Sequence, residues 1–149
     1  MSNLHDLYQE ILLEHNNRPR NFRILEDANR QADGYNPLCG DQITVYLRVE
    51  DDVIADAAFQ GVGCAISRAS ASMLTQSVMG QTVAKAEEIF EGFHALITDP
   101  DADVDFDLLG DLEVLSGVSA YPTRIKCAVL AWHTLTAAIE GKGDSVTTE

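Results

Sequence analysis

Apolar and polar residues alternate in a way that predicts strands early in the chain and helices later. Apolar residues at three- and four-residue spacing predict an amphipathic helix over residues 2–15. The polar segment over residues 17–38 is predicted to be irregular. After Asp41 the period becomes two, which is typical of a half-buried strand, and its inward positions are Ile43, Val45, Leu47 and Val49. The turn residues Asp51 and Asp52 then predict a hairpin whose second strand covers residues 53–60.

Helical patterns dominate the rest of the chain. Small residues predict a helix over residues 65–80 that lets a neighbouring backbone approach closely. Thr82 is predicted to cap the next helix, a short helix is predicted over residues 108–117, and Pro122 opens a final helix that Gly141 closes. Strands followed by helices predict an α+β fold, with a small antiparallel sheet and helices packed on one face.

Length and composition indicate one domain. The chain has 149 residues, of which 46% are hydrophobic and 23% charged, values that suit a single core. We expect one domain over residues 1–141 and a flexible tail over residues 142–149.

The net charge narrows the classes of partner. A formal charge of -14 repels both a nucleic-acid backbone and an anionic membrane surface, so neither is an expected partner. The first residues contain no sustained apolar run of the kind found in a secretory signal. A cytoplasmic location is therefore expected.

An acidic segment over residues 99–107 has an aspartate at every second position and resembles part of a calcium-binding loop. Counted from Asp101, the sixth and twelfth positions hold Phe106 and Leu112, where that loop requires Gly and Glu. The pattern favours a solvated acidic loop, which is also a possible docking surface for a basic partner.

The chain contains three cysteines, Cys39, Cys64 and Cys127, each beside a predicted element boundary. An odd number leaves at least one thiol unpaired, and a chain of this length needs no disulfides, so reduced thiols are expected. Cys64 and Cys127 are near predicted helix starts, where the helix dipole favours the thiolate. Metal binding and catalysis are the two chemical roles, and three small buried hydrophobic residues are the alternative.

Asp41 adds an oxygen ligand two residues after Cys39. Three thiolates and one carboxylate suit tetrahedral zinc, although an aspartate that bonds amides at a strand entry is an equal alternative. No C-x-x-C pair occurs, so the fold would have to assemble the site. The four histidines are other potential ligands, but none adjoins a cysteine, and each is expected on a helix surface or partly buried: His5, His15, His94 and His133.

Three ordered motifs resemble those of the NifU/IscU-like family of iron-sulfur cluster assembly proteins. They are Asn-Pro-Leu-Cys-Gly-Asp at residues 36–41, Gly-Val-Gly-Cys-Ala-Ile-Ser at residues 61–67 and Arg-Ile-Lys-Cys-Ala at residues 124–128. The scaffold branch of this family has a histidine directly before the third cysteine. Lys126 occupies that position here, and a protonated lysine has no lone pair for a metal. The long interval before Cys127 also resembles an insertion typical of the SufU branch.

The resemblance implies a SufE/NifU-like fold and a zinc-dependent sulfurtransferase. Such a protein accepts sulfur from a PLP-dependent cysteine desulfurase of the SufS type and passes it towards a downstream iron-sulfur scaffold. Carried over by position, the zinc ligands are Cys39, Asp41, Cys64 and Cys127, and Cys39 is also the sulfur acceptor. Arg124 is a candidate for stabilising the released thiolate or the persulfide, and a plain surface arginine is its alternative.

Two other functions stay open. One is a noncatalytic scaffold on which an iron-sulfur cluster is assembled, with that cluster in place of zinc. The other is a binding module in which zinc is a structural staple, so that removing the metal unfolds the protein.

Overall fold

A computed structural model describes residues 2–99, 101–141 and 145–147. The elements follow one another in this order: α1 (Ser2–Asn17), β1 (Arg30–Asn36), β2 (Asp41–Glu50), β3 (Val53–Val62), α2 (Ala65–Val78), α3 (Val83–Thr98), α4 (Phe106–Leu109), a 3₁₀ helix (Gly110–Ala120), α5 (Pro122–Ile139) and β4 (Ser145–Thr147). None of the helices in these residues combines the length and the hydropathy that a membrane span requires.

The strands form one sheet in the order β3-β2-β1-β4. β1 pairs antiparallel with β2, β2 pairs antiparallel with β3, and the short β4 runs parallel to β1. Helices α2 and α5 cover the sheet and contact each other. The predicted α+β class, a small antiparallel sheet with packed helices, is confirmed.

The hairpin of β2 and β3 forms where the alternating pattern predicts it. Ile43, Val45 and Leu47 are all buried, which places the predicted apolar face in the core. Asp51 and Asp52 both have positive φ, 51° and 63°. Two consecutive positive φ values are the geometry of a type I′ hairpin turn, which aspartate tolerates better than bulky residues do.

The prediction of irregular structure over residues 17–38 is wrong for β1. This strand buries alternate residues, but the buried ones are Ala32, Gly34 and Asn36, which give no apolar signal. Gly34 is needed because a Cβ there would collide with the hydroxyl of Thr134 on α5. The strand is therefore defined by close packing under α5 and by pairing with β2.

Helices α2 and α5 approach closely through small residues, as predicted. Ser70 Oγ donates to the carbonyl of Ala128 at 2.6 Å and accepts from Trp132 Nε1 at 3.2 Å. These bonds satisfy the buried indole and hydroxyl groups, which would otherwise destabilise the core.

The helix boundaries follow the predicted caps except in the acidic region. Thr82 accepts from the amide of Lys85 at 3.1 Å, and Pro122 begins α5. The helix predicted over residues 108–117 is instead the four-residue α4 followed by the 3₁₀ helix. The Asp105 carboxylate accepts from two amides of α4, so part of the acidic segment acts as a helix cap.

The predicted division into a domain over residues 1–141 and a tail over residues 142–149 stays a prediction. Residues 142–144, 148 and 149 lie outside the described part of the chain. Within that segment, Ser145–Thr147 forms β4 beside β1.

Candidate metal centre

Three junctions between elements meet at one edge of the sheet. Cys39 lies in the loop that joins β1 to β2, and Asp41 is the first residue of β2. Cys64 directly precedes α2, and Cys127 lies in the second turn of α5. Because β2 pairs with both β1 and β3, the sheet brings the first two junctions together and α5 adds the third.

The predicted ligands are neighbours in space. Ligand atoms of Cys39, Asp41 and Cys127 all lie within 4.8 Å of one another. The two sulfurs of Cys39 and Cys127 are 3.4 Å apart, and Cys64 Sγ lies 3.9 Å from Asp41 Oδ2. The structure therefore brings Cys39, Asp41 and Cys127 into one group, and Cys64 adjoins this group beside Asp41.

The four groups differ in exposure. Asp41 and Cys127 are buried, Cys64 is half-buried and Cys39 is exposed. The cluster thus has a closed inner side and one thiol that faces outward.

Asp41 is positioned by an amide and by the absence of a side chain opposite it. Its Oδ1 accepts from the amide of Cys64 at 2.8 Å, while Oδ2 faces the Cys64 thiol. A Cβ at Gly63 would lie 2.8 Å from Oδ1 and 3.2 Å from Ser67 Oγ. The strand-entry role and the ligand role are therefore compatible, since one oxygen bonds the amide and the other remains for a metal.

Cys64 also caps α2. Its backbone is extended, and its Sγ accepts from the amide of Ser67 at 3.4 Å. The sulfur thus satisfies one of the amides that the start of a helix leaves without a partner.

Cys127 does not follow the expectation that a helix start favours its thiolate. Burial raises the pKa of this thiol, and hydrogen bonds and charge from the neighbouring Cys39, Cys64 and Asp41 raise it further. The helix dipole acts mainly within the first turn, and Cys127 lies beyond it. Metal binding at this position therefore has to displace a proton.

The donor set fits zinc. Three sulfurs and a carboxylate oxygen match the ligand types and the number of a tetrahedral zinc site. Ser67 Oγ is a buried hydroxyl that makes no hydrogen bond within the described residues. It lies 3.2 Å from the position that a Cβ on Gly63 would occupy. Zinc here would be held by Cys39, Asp41, Cys64 and Cys127.

The described histidine side chains lie outside this cluster. His94 and His133 pack their rings edge-on against Phe90. His15, expected at a surface or partly buried, is buried, and its Nδ1 lies 2.7 Å from Ser72 Oγ.

Arg124 and Lys126 flank the centre on α5. Arg124 is exposed, and its guanidinium lies over the ring of Tyr121, 5.4 Å from the centroid. Lys126 is half-buried. The catalytic role of Arg124 stays a prediction.

Sequence reasoning gave no role to Asn36, which the structure places inside the cluster. Its side-chain amide lies 3.4 Å from Asp41 Oδ2 and 3.5 Å from Cys127 Sγ. The sequence signal was its place at the start of the Asn-Pro-Leu-Cys-Gly-Asp motif, but the contacts depend on α5.

Comparison with known proteins identifies the family of this chain. The profile of the NifU-like N-terminal domain matches residues 7–128, and that range includes the whole cluster. The chain belongs to the NifU-like N-terminal domain family. The resemblance stated on the three sequence motifs is thereby confirmed.

Relatives of this NifU-like chain have names that concern sulfur transfer or cluster assembly. The zinc-dependent sulfurtransferase SufU of Bacillus subtilis is 41% identical over 90% of each chain. The iron-sulfur cluster assembly scaffold protein IscU of Thermotoga maritima is 39% identical over 90% of this chain and 93% of its own.

A solved structure supports the fold. FiSufU of Fervidobacterium islandicum AW-1, described as a candidate iron-sulfur cluster assembly scaffold for the SUF system, superposes with a TM-score of 0.82. It is 31% identical, and the match covers 91% of this chain and 98% of that one. Together these comparisons support a role in iron-sulfur cluster assembly.

Proposed function

We propose that this NifU-like protein is a zinc-dependent sulfurtransferase that serves a PLP-dependent cysteine desulfurase of the SufS type. The observation that carries the proposal is the position of Cys39, the exposed thiol of a group whose other two members, Asp41 and Cys127, are buried. An acceptor must reach the partner's persulfide, and among the three cysteines Cys39 is the exposed one.

The transfer step is a thiol-persulfide exchange. The Cys39 thiolate attacks the outer sulfur of the desulfurase persulfide and forms a new S–S bond. The old S–S bond breaks, and the desulfurase cysteine leaves as a thiolate, so no oxidant or reductant is consumed. The product is a persulfide on Cys39, ready for a downstream iron-sulfur scaffold.

The loop that carries Cys39 supports a change in the direction of its side chain during the transfer. Asn36 and Asp41 are paired across β1 and β2 and close the loop. Gly40 has a φ of 72°, a conformation that glycine adopts without strain. In the proposed transfer, the Cys39 side chain changes its direction while the strand pairing persists. When bound, zinc would supply a charge that keeps the ligand thiols deprotonated.

Arg124 is proposed to stabilise the released Cys39 thiolate and the persulfide anion. It lies on the first turn of α5, one turn before Cys127, and its charge is independent of pH in the working range. Its exposed position leaves the guanidinium free to turn from Tyr121 towards the reacting sulfur.

An iron-sulfur scaffold is the second candidate function. The names of the IscU relatives favour it. Lys126 counts against it, because the position directly before the third cysteine holds no metal ligand. A scaffold should bind iron and sulfide and absorb visible light, whereas the zinc protein should stay colourless and lose activity when chelated.

A desulfurase assay tests the proposal. The zinc-loaded protein should contain one zinc per chain and accelerate sulfide release by a SufS-type desulfurase. Cys39→Ala should abolish that acceleration, and Gln31→Ala, an exposed change elsewhere on β1, should keep it. Full acceleration by Cys39→Ala would show that Cys39 is not the sulfur acceptor. If removing zinc unfolds the protein but the zinc-loaded protein does not affect the desulfurase, the zinc has a purely structural role.

A further inference from the structure

Asn36 lies between two of the candidate ligands. It is fully buried, and its Nδ2 lies 3.4 Å from Asp41 Oδ2 and 3.5 Å from Cys127 Sγ. A side-chain amide nitrogen carries two hydrogens, so one group can donate to both acceptors. These two ligands are also the two buried members of the cluster.

The orientation of the Asn36 amide follows from its other contact. The amide of Leu38 donates to Asn36 Oδ1 at 3.3 Å, which leaves the nitrogen facing the ligands. The opposite orientation would place an oxygen against a carboxylate and a thiolate. The Asn36 main-chain carbonyl also accepts from the amides of Cys39 and Gly40, at 3.3 and 2.9 Å.

Hydrogen-bond donors are distributed unevenly over the four ligands. Asp41 accepts from the Cys64 amide and from Asn36, Cys64 accepts from the Ser67 amide, and Cys127 accepts from Asn36. Among the described residues, Cys39 Sγ has a single hydrogen-bond contact, with the sulfur of Cys127. Three ligands are thus anchored by N–H groups, and one is not.

We propose that Asn36 is a positioning residue that holds Asp41 and Cys127 in place and so makes Cys39 the ligand that can leave and react. Groups that donate hydrogen bonds to metal ligands fix their direction and tune their charge. A thiolate that accepts an N–H bond is stabilised, whereas one without such a bond keeps more of its charge for nucleophilic attack. The inference rests on the proposed function, in which Cys39 is the acceptor.

Two variants separate this role from a purely structural role in the loop. Asn36→Asp keeps an oxygen for the Leu38 amide and the main-chain bonds of the loop, but it replaces the donor with a second carboxylate. Asn36→Ala removes the donor without adding charge. The matched control is Asn29→Asp, since Asn29 is exposed and its side chain bonds only the main chain of Val49 among the described residues.

The experiment measures zinc affinity and thiol reactivity on the full chain. Zinc affinity is obtained by competition with a chromophoric chelator, and the cobalt-substituted protein is examined by visible absorption. Zinc-loaded protein is also treated with iodoacetamide, and each cysteine is followed by mass spectrometry. These measurements need no desulfurase.

The wild-type protein should be alkylated at Cys39 well before Cys127. Asn36→Ala should bind zinc about 10- to 100-fold more weakly, which is the usual effect of losing such a partner. Both Asn36 variants lose the N–H donor. They should also show an altered cobalt spectrum and a higher ratio of Cys127 to Cys39 alkylation than the wild type, although buried Cys127 should still react more slowly than Cys39. Asn29→Asp should match the wild type in all three measurements.

Unchanged zinc affinity and unchanged preference for Cys39 in both Asn36 variants would overturn the inference. If these variants also stimulate the desulfurase normally, the proposed function is unaffected. Wild-type protein that binds no zinc would overturn both. The expected Asn36 results without any desulfurase stimulation would overturn the proposed sulfur transfer and keep Asn36 as a ligand-positioning residue.

Discussion

Cys39 Sγ lies 3.4 Å from Cys127 Sγ, although 88 residues separate them in sequence. One thiol belongs to an exposed hairpin loop and the other to a buried face of α5. In the proposed function, a zinc ion bound by both sulfurs would join the loop to the helix, and release of Cys39 would leave Cys127 inside the protein. The contact therefore pairs one exposed thiol with one buried thiol.

Gly63→Ala should weaken zinc binding at least about tenfold. The new methyl group would lie 2.8 Å from Asp41 Oδ1, so the carboxylate has to move. Overpacking of this kind also costs about 1–3 kcal/mol of stability. Chelator competition measures the affinity, and Gly117→Ala is the control because no atom lies within 4 Å of its added Cβ. Equal zinc affinity in both variants would show that Asp41 tolerates displacement.

Cys64→Ser and Cys64→Ala should separate the helix cap from the metal ligand. Both remove a thiolate, so both should weaken zinc binding and reduce the sulfur-to-cobalt absorption. Serine keeps an acceptor for the Ser67 amide, so in the metal-free protein Cys64→Ser should be about 1 kcal/mol more stable than Cys64→Ala. Urea unfolding measures the difference, and equal stabilities would show that this sulfur does not support α2.

Arg124→Ala should lower desulfurase stimulation and leave zinc affinity unchanged. The side chain is exposed over Tyr121, and it makes no hydrogen bond to the cysteines within the described residues. Arg124→Lys should recover part of the stimulation, because the charge returns without the forked donors. Tyr121→Leu is the control for loss of the ring contact. Full stimulation by Arg124→Ala would show that Arg124 is a surface arginine with no role in the transfer.

The stability of the protein should fall as the pH drops below about 6.5, in part because of His15. Burial lowers the pKa of His15, and the nearby Arg20 lowers it further. Below the unfolded value of about 6.5 the unfolded chain binds a proton that the folded chain resists, so the free energy of unfolding decreases. At higher pH both states are neutral and the full stability is present.

His15→Asn isolates this contribution. Asparagine keeps an acceptor near the Ser72 hydroxyl but does not titrate, so the variant should lose less stability than the wild type between pH 7.5 and 5.5. Urea unfolding at each pH supplies the comparison. Identical pH dependence in the two proteins would contradict the assigned role of His15.

Local patterns predict the hairpin and most helices because their causes are local. The alternation through Val45 defines β2, two turn aspartates define its hairpin, and Thr82 and Pro122 mark helix starts. Each of these signals depends on residues a few positions apart. The same reasoning failed for β1, whose buried positions are small or polar and whose packing depends on α5.

The sequence alone determined the α+β class, the reduced thiols and the donor chemistry of Cys39, Asp41, Cys64 and Cys127, because these follow from residue types and short-range periodicity. Only the tertiary structure decided that Cys39, Asp41 and Cys127 meet with Cys64 beside Asp41, that Cys39 is the exposed cysteine and that Asn36 contacts two of the donors. Those features arise where β1, β2 and α5 pack together, and contacts across 88 and 91 residues leave no periodic trace in the sequence.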